Sequence, residues 1–354
     1  MNMRLLIFLC FILAPLMQES NAQQTQDFFT SPTPIEMVAP IYPRRAAQKG
    51  EEGWVILNFM VDTDGNTFEP SVAMSTGNKD LEEAAITALQ KSKWAPAKLA
   101  SKENLGETEA AIEGGASYMF RFELDGDSQR VRRRFNSEYR KFGGFLSEAN
   151  SEAASSQIKK LNNLGALNNF EYALLSLANY DYHRFFDPDE TKEISYLISA
   201  LGGPFVEIEA GYLPEELSIP AKNNLFILLV KTAKYQEALD IYYSLRGAGA
   251  DTTRIDSTVE QIHKLAVEDS GYSIKAKTDH NGEWQIQLFK AGFYINGLGN
   301  RISEIRLRCD KKFQFFQYKE DVTYQVPRSW GKCNVQVLAS ANIDFEFGQF
   351  GSVE

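Results

Sequence analysis

The sequence predicts an α+β chain of several domains: a β-β-α-β unit, then a helical segment, then a small β-sandwich. Three observations predict it. Residues 54–61 and 116–124 are strand-like, and between them apolar residues recur at helical spacing. Residues 130–268 carry no strand signal. Residues 270–354 return to short alternating runs separated by turn residues. A length of 354 residues agrees, since it exceeds what one ordinary core organises.

The first unit is expected over residues 35–125. Trp54 to Val61 is rich in β-branched and aromatic residues, as a strand requires. Asp62-Thr63-Asp64-Gly65-Asn66 is the turn, with Gly65 or Asn66 able to take positive φ. Residues 67–74 form the return strand, which Pro70 restricts to an edge or a bulge. Asp80 is placed to cap a helix with Glu83 three residues on, and the helix is expected over about 81–92. Leu81, Ala84, Ala85, Ala88 and Leu89 form its apolar face. Residues 98–115 are polar and Gly-containing and read as a loop. Residues 116–124 alternate again, with Tyr118, Phe120 and Phe122 on one side.

Within 130–268, the stretch 168–174 resembles 233–239, and Ala173 lies 65 residues from Ala238. That spacing is close to two tetratricopeptide (TPR) periods, so the segment reads either as TPR-like or as a generic helical bundle. In the third unit, residues 270–354, the runs at 272–276, 284–288, 302–307 and 335–338 alternate, and His280-Asn281-Gly282 is among the turns. Short strands at this spacing predict a small β-sandwich.

The N-terminus reads as an export signal. Arg4 precedes an apolar run over 5–17, and Ser20-Asn21-Ala22 supplies small residues for cleavage. Residues 1–22 are expected to leave as a signal peptide, with 23–34 a polar mobile tail; the alternative is an uncleaved anchor. Cys10 sits inside the apolar run and is not placed as a lipoprotein acylation site. The remaining pair, Cys309 and Cys333, is expected to form a disulfide rather than two buried thiols, because an even pair in an exported chain favours oxidation.

Apolar content of 44% with 24% charged residues describes a soluble globular chain. A net charge of −10 argues against nucleic acid as the main partner. Asp62-Thr63-Asp64-Gly65 fails as a calcium loop, since Met60 and Ser71 fall where the first and last ligands belong. His183, His263 and His280 form no zinc pattern with each other or with the cysteines. Asp187-Pro188-Asp189-Glu190 reads as a helix start, and Arg130, Arg132, Arg133, Arg134, Arg140 and Lys141 as a solvated helix face. No catalytic set, metal site or cofactor site emerges.

Six motifs in order carry a family resemblance: Tyr42-Pro43, Gly50-x-x-Gly53 before a strand, Asp62-x-Asp64-Gly65, Ser75-Thr76-Gly77, Leu81-x-x-Ala84-Ala85 and Trp94-x-Pro96-Ala97. Over roughly residues 38–124 this series resembles the C-terminal domain of TonB-family energy transducers. In that family the domain pairs with the "TonB box" of an outer-membrane receptor by β-augmentation, in which a peptide adds to an exposed sheet edge. The resemblance implies a partner-binding edge along Ser117, Tyr118, Met119, Phe120, Arg121 and Phe122. It also implies that Tyr42, Pro43, Gly50, Gly53, Asp64, Gly65, Trp94 and Pro96 hold the domain's shape.

The chain departs from the family in placing this domain ahead of helices and a β domain, with no long Pro-rich spacer. The resulting expectation is a periplasmic, non-enzymatic protein of a TonB-type system. Its partner is an outer-membrane TonB-dependent receptor or a TonB-system protein, with a second protein on the helical segment and no nucleic acid. The alternative is an inner-membrane-anchored transducer facing the periplasm. A third reading, an envelope enzyme with its site in 270–354, lacks a clustered His, Ser or carboxylate set.

Overall fold

A computed structural model describes residues 28–100, 110–124, 130–203, 211–279 and 281–352. The expected signal peptide lies outside them. Part of the expected tail does not: β1 (Phe28–Thr30) and β2 (Thr33–Glu36) are strands. They are followed by α1 (Arg44–Lys49), β3 (Gly53–Val61), β4 (Thr67–Ser75), α2 (Lys79–Lys91), β5 (Lys93–Ala95), β6 (Ala97–Ala100), β7 (Ala110–Ile112) and β8 (Gly114–Phe122). β1 pairs with β6, which also pairs with β7, and β2 pairs with β5. The expected loop over 98–115 thus carries strand at both ends. These short strands are set by their partners rather than by any pattern of their own, which is why composition alone reads them as tail and loop.

The main sheet of this unit has the order β4-β3-β8, all antiparallel. β3 is central and buried nearly throughout, because both faces of the sheet are covered. On one face Val55, Leu57, Phe59 and Val61 meet Leu81, Ala85, Ala88 and Leu89 of α2. On the other, Trp54 and Ile56 join the core of the helical segment. The register of β4 shifts between its pairings with Asn58 and Met60, and Glu69 there has φ +48. Pro70 therefore sits at a bulge, where its missing N–H costs no ladder bond. The cap of α2 is Asn78, which accepts from the Asp80 and Leu81 amides, and not Asp80. The Ser75-Thr76-Gly77 turn delivers the chain into the helix two residues earlier than expected.

Seven helices follow among the described residues: α3 (Arg133–Ser147), α4 (Ser151–Asn162), α5 (Asn169–Phe186), α6 (Glu190–Leu201), α7 (Glu215–Lys231), α8 (Tyr235–Gly247) and α9 (Asp256–Val267). Three of their starts, those of α4, α5 and α6, are set by side-chain caps at Asn150, Asn168 and Asp189, with a capping box between Asn168 and Glu171. Ala173 and Ala238 are both buried, in α5 and α8. Two TPR periods would carry one alanine four helices beyond the other; among the described residues it is three. The repeat register is not reproduced, and the segment packs as a helical array without it.

The last unit comprises β9 (Tyr272–Lys277), β10 (Glu283–Gln287), β11 (Gly292–Asn296), β12 (Ile302–Cys309), β13 (Phe313–Phe316), β14 (Thr323–Gln325), β15 (Cys333–Ala339) and β16 (Asp344–Phe350). They form two four-stranded sheets, β10-β15-β12-β13 and β14-β11-β16-β9. Ile286, Ile305, Leu307, Val335 and Val337 of one share a core with Phe293, Ile295 and Phe347 of the other, so the unit is a β-sandwich. Cys309 and Cys333, opposite each other on β12 and β15, are disulfide-bonded.

Polar contacts tie the three units together. The Glu52 carboxylate accepts from the Leu124 and Asn169 amides at 2.9 and 3.0 Å. Glu237 on α8 accepts from the Gln287 amide at 3.1 Å. The buried Lys290 donates to the carbonyls of Leu265 and Glu268, closing the C-terminus of α9, and burial holds its pKa below the ordinary lysine value. Among the described residues no helix is long and apolar enough to cross a membrane.

Candidate functional site: the open edge of the first sheet

β8 pairs with β3 from Gly53 opposite Phe122 to Val61 opposite Gly114, and no strand follows it in the sheet among the described residues. Ser117, Tyr118, Met119, Phe120, Arg121 and Phe122 therefore lie together on an edge strand. Alternation sends Tyr118, Phe120 and Phe122 into the core beneath α2, while Met119 joins the core shared with the helices. Ser117 and Arg121 are exposed. The Arg121 guanidinium lies 5.4 Å from the centre of the Tyr212 ring, whose hydroxyl donates to Glu123 at 3.2 Å.

The start of this edge is already occupied. The Gly115 amide donates to the Asp310 carbonyl at 3.0 Å. A Cβ on Gly115 would lie 2.8 Å from the Cys309 carbonyl oxygen, so only glycine permits the approach. Asp310 is held by its neighbour's disulfide and by the Lys332 amide, which donates to its carboxylate at 2.8 Å. Burial pushes the Asp310 carboxyl above its ordinary pKa. Beside it, Arg308 donates from Nη1 to the Glu69 carbonyl at 3.1 Å, in the β4 bulge. The β-sandwich thus abuts the Gly115 end of the sheet and, among the described residues, makes no backbone hydrogen bond to the Phe122 end.

The residues expected to shape the domain have distinct structural roles. Tyr42 meets Phe122 edge-on at 5.6 Å and donates its hydroxyl to the Glu51 carbonyl at 2.7 Å. Its neighbour Pro43 caps α1, and Gly50 ends that helix in the left-handed region. Gly53 opens β3 against Thr76 and Leu81, where a side chain has no room. Gly65 has φ +80, and a Cβ there would lie 2.1 Å from the Trp94 carbonyl oxygen. Trp94 is buried, edge-on to Phe59 at 4.8 Å and to Tyr118 at 5.9 Å. Pro96 separates β5 from β6 as the chain passes between two small sheets.

The Asp62–Asn66 turn is closed by Asp62 itself, whose Oδ1 accepts from the Asp64 and Asn66 amides at 2.9 and 2.8 Å. Those hydrogen bonds hold its pKa below the ordinary carboxylate value. Among the described residues no group of three or more His, Cys, Asp or Glu is placed to hold a metal. Asp189 caps α6, accepting from the Lys192 amide at 3.1 Å. In the basic cluster, Arg132 pairs with the buried Glu171, and Lys141 pairs with Glu138 at 3.0 Å. His183 stacks on Tyr196 with ring centres 5.6 Å apart, and His280 lies outside the described residues.

Sequence reasoning missed Glu237, Arg308 and Asp310, which gather where the three units meet. The available signal was the alternation Glu304-Ile305-Arg306-Leu307-Arg308, which marks one polar face of β12.

Among the described residues the first domain is built on a small antiparallel sheet backed by α2, and its outer strands β4 and β8 each pair on one side only. The family described as Gram-negative bacterial TonB protein C-terminal matches residues 38–113. Over that span the chain is similar to that family. A curated relative, Protein tonB2 of Pseudomonas aeruginosa, is 35% identical over 75 residues, covering 21% of this chain and 28% of the relative. The chain therefore spans under a third of the length of that relative. The solution NMR structure of Pseudomonas aeruginosa TonB CTD aligns with 28% of this chain and 91% of that chain at 23% identity. Its TM-score is 0.23, too low to bear on the fold. The family match ends just before β8 begins at Gly114.

Proposed function

We propose that this chain is a non-enzymatic protein of a TonB-type system. Its first domain holds an extended segment of an outer-membrane receptor, or of another TonB-system component, as a strand added to β8. The supporting observation is that β8 pairs on one side only, in a domain adjoining the span matched by the TonB family. The same sheet is fastened to the helices through Glu52 and to the β-sandwich through Asp310. That attachment favours holding a partner over pulling on one. The expected export signal supports a periplasmic location.

Photo-crosslinking in the intact envelope tests this. A photoreactive residue at Ser117 or Arg121 is expected to capture an outer-membrane receptor or a TonB-system protein. The same residue at Lys91, exposed at the end of α2, is expected not to. Equal capture at all three positions, or none of these proteins at Ser117 and Arg121, rejects strand addition at this edge.

A further inference from the structure

The three units enclose a cavity of about 350 Å³, at the small end of ligand sites. Two walls are apolar: Ile56 and Met74 come from the first sheet, and Ile194, Ile198, Leu225 and Leu229 from α6 and α7. The third wall is polar. Gln287 lies opposite Asn334, and Asn334 opposite Arg308, so the three form one row across β10, β15 and β12. Two strand spacings separate the ends of the row, about 10 Å between backbones.

Each end carries an unanswered group. At one, Glu237 uses Oε1 on the Gln287 amide, while its Oε2 is buried without a hydrogen-bond partner, as is Oε1 of Gln287. At the other, the Arg308 guanidinium lies 4.6 Å from the Phe313 ring centre, and its Nε and Nη2 are buried without partners. Of the other charged groups lining the cavity, Lys332 pairs with Asp240 at 3.3 Å. Desolvation drives the Glu237 carboxyl up, against the pull of Lys234, and the Arg308 guanidinium down to about 10. Both shifts favour the neutral forms, and a ligand charge of the right sign at each end would reverse them. Buried polar atoms left unpaired on two sides of one cavity call for a partner that fills it.

We propose that this cavity binds a dipeptide with apolar side chains. Its ammonium meets Glu237 and Gln287, its carboxylate pairs with Nε and Nη2 of Arg308, and its side chains pack on α6 and α7. Opposite charges at opposite ends select a zwitterion, and the bidentate fork of Arg308 suits a carboxylate. An extended dipeptide spans roughly 7 Å, which fits a row of this length with hydrogen bonds at both ends; a single amino acid spans half of that. The cavity also reaches Ala116 and Ser117 at the start of β8, but the assignment rests on Glu237, Gln287 and Arg308 and not on strand addition at that edge.

Calorimetric titration of the full chain with leucyl-leucine, alanyl-leucine and leucyl-phenylalanine tests it. Saturable binding of at least one is expected. N-acetylation and C-amidation of that dipeptide are each expected to weaken binding tenfold or more. Arg308→Gln should abolish the difference between free acid and amide, and Glu237→Gln the difference between free amine and acetyl form. No saturable binding of any of the three, or binding unchanged by either cap on the unmodified protein, overturns the assignment without recourse to a variant. Binding whose cap dependence survives both substitutions in folded variants overturns it too.

Discussion

The sheets β4-β3-β8 and β10-β15-β12-β13 meet at the same cavity, yet they are built differently. The first buries apolar side chains on both faces. Its unit's buried atoms without partners are the indole N–H groups of Trp54 and Trp94 and the hydroxyl of Thr76. The second is apolar only toward its sandwich partner. Its outer face carries Gln287, Arg306, Arg308 and Gln336, each with a buried atom that lacks a partner. The first sheet is organised by packing, so its motif residues are explained by volume and backbone shape. In the second, polar residues suited to solvent are buried by the docking of another unit. Packing does not explain them; of the four, Gln287 and Arg308 line the cavity and would be answered by the proposed ligand.

This contrast can be broken most sharply at Trp94. Trp94→Ala empties the centre of the first domain and is expected to cost about 3–5 kcal/mol in denaturant unfolding. Removing the disulfide by Cys309→Ala with Cys333→Ala should cost about 3 kcal/mol on the chain-entropy account. It should also speed hydrogen exchange at the Gly115 amide, because the Asp310 carbonyl loses its anchor. Gly65→Ala forces a side chain into a left-handed turn against the Trp94 carbonyl, so a loss of more than about 1 kcal/mol is expected. On the polar face the expectation inverts. Gln336→Leu removes a buried oxygen without a partner together with the 3.3 Å bond from its Nε2 to Glu283, and the two nearly offset, so the change in stability should stay within about 0.5 kcal/mol. A large loss there would show that the face is structural after all.

The smallest effect is a pH dependence. Burial raises the pKa of Glu237 in the folded state. The unfolded chain then ionises first, so its contribution to stability falls as pH rises out of the ordinary carboxylate range. Relative to the unmodified protein, Glu237→Gln should therefore gain stability from pH 4 to pH 7, as measured by thermal unfolding across that window.

Much of the fold was legible because periodicity reports burial. β3, α2 and β8 follow from alternation and helical spacing, Pro70 marks the bulge, and Asp189 starts α6. Caps were less legible: Asn78 and Asp80 are both competent, and turn geometry chose Asn78. Short strands such as β1 and β6 depend on a partner distant in sequence. The edge at β8 was reached through the order of motifs. The cavity was not reached at all, because Glu304, Arg306 and Arg308 carry the pattern of a solvent-facing strand, and their burial follows from how three units dock.

The bond from Gly115 to Asp310 also sets a limit on what the sheet can read. Any strand joining β8 must enter at the Phe122 end and stop before Gly115, leaving at most the seven residues from Ala116 to Phe122. Because backbone groups face outward only at alternate positions, roughly three of them offer bonds to a newcomer. The β-sandwich thus acts as an end stop, fixing both the direction in which a guest chain is measured and the length that counts.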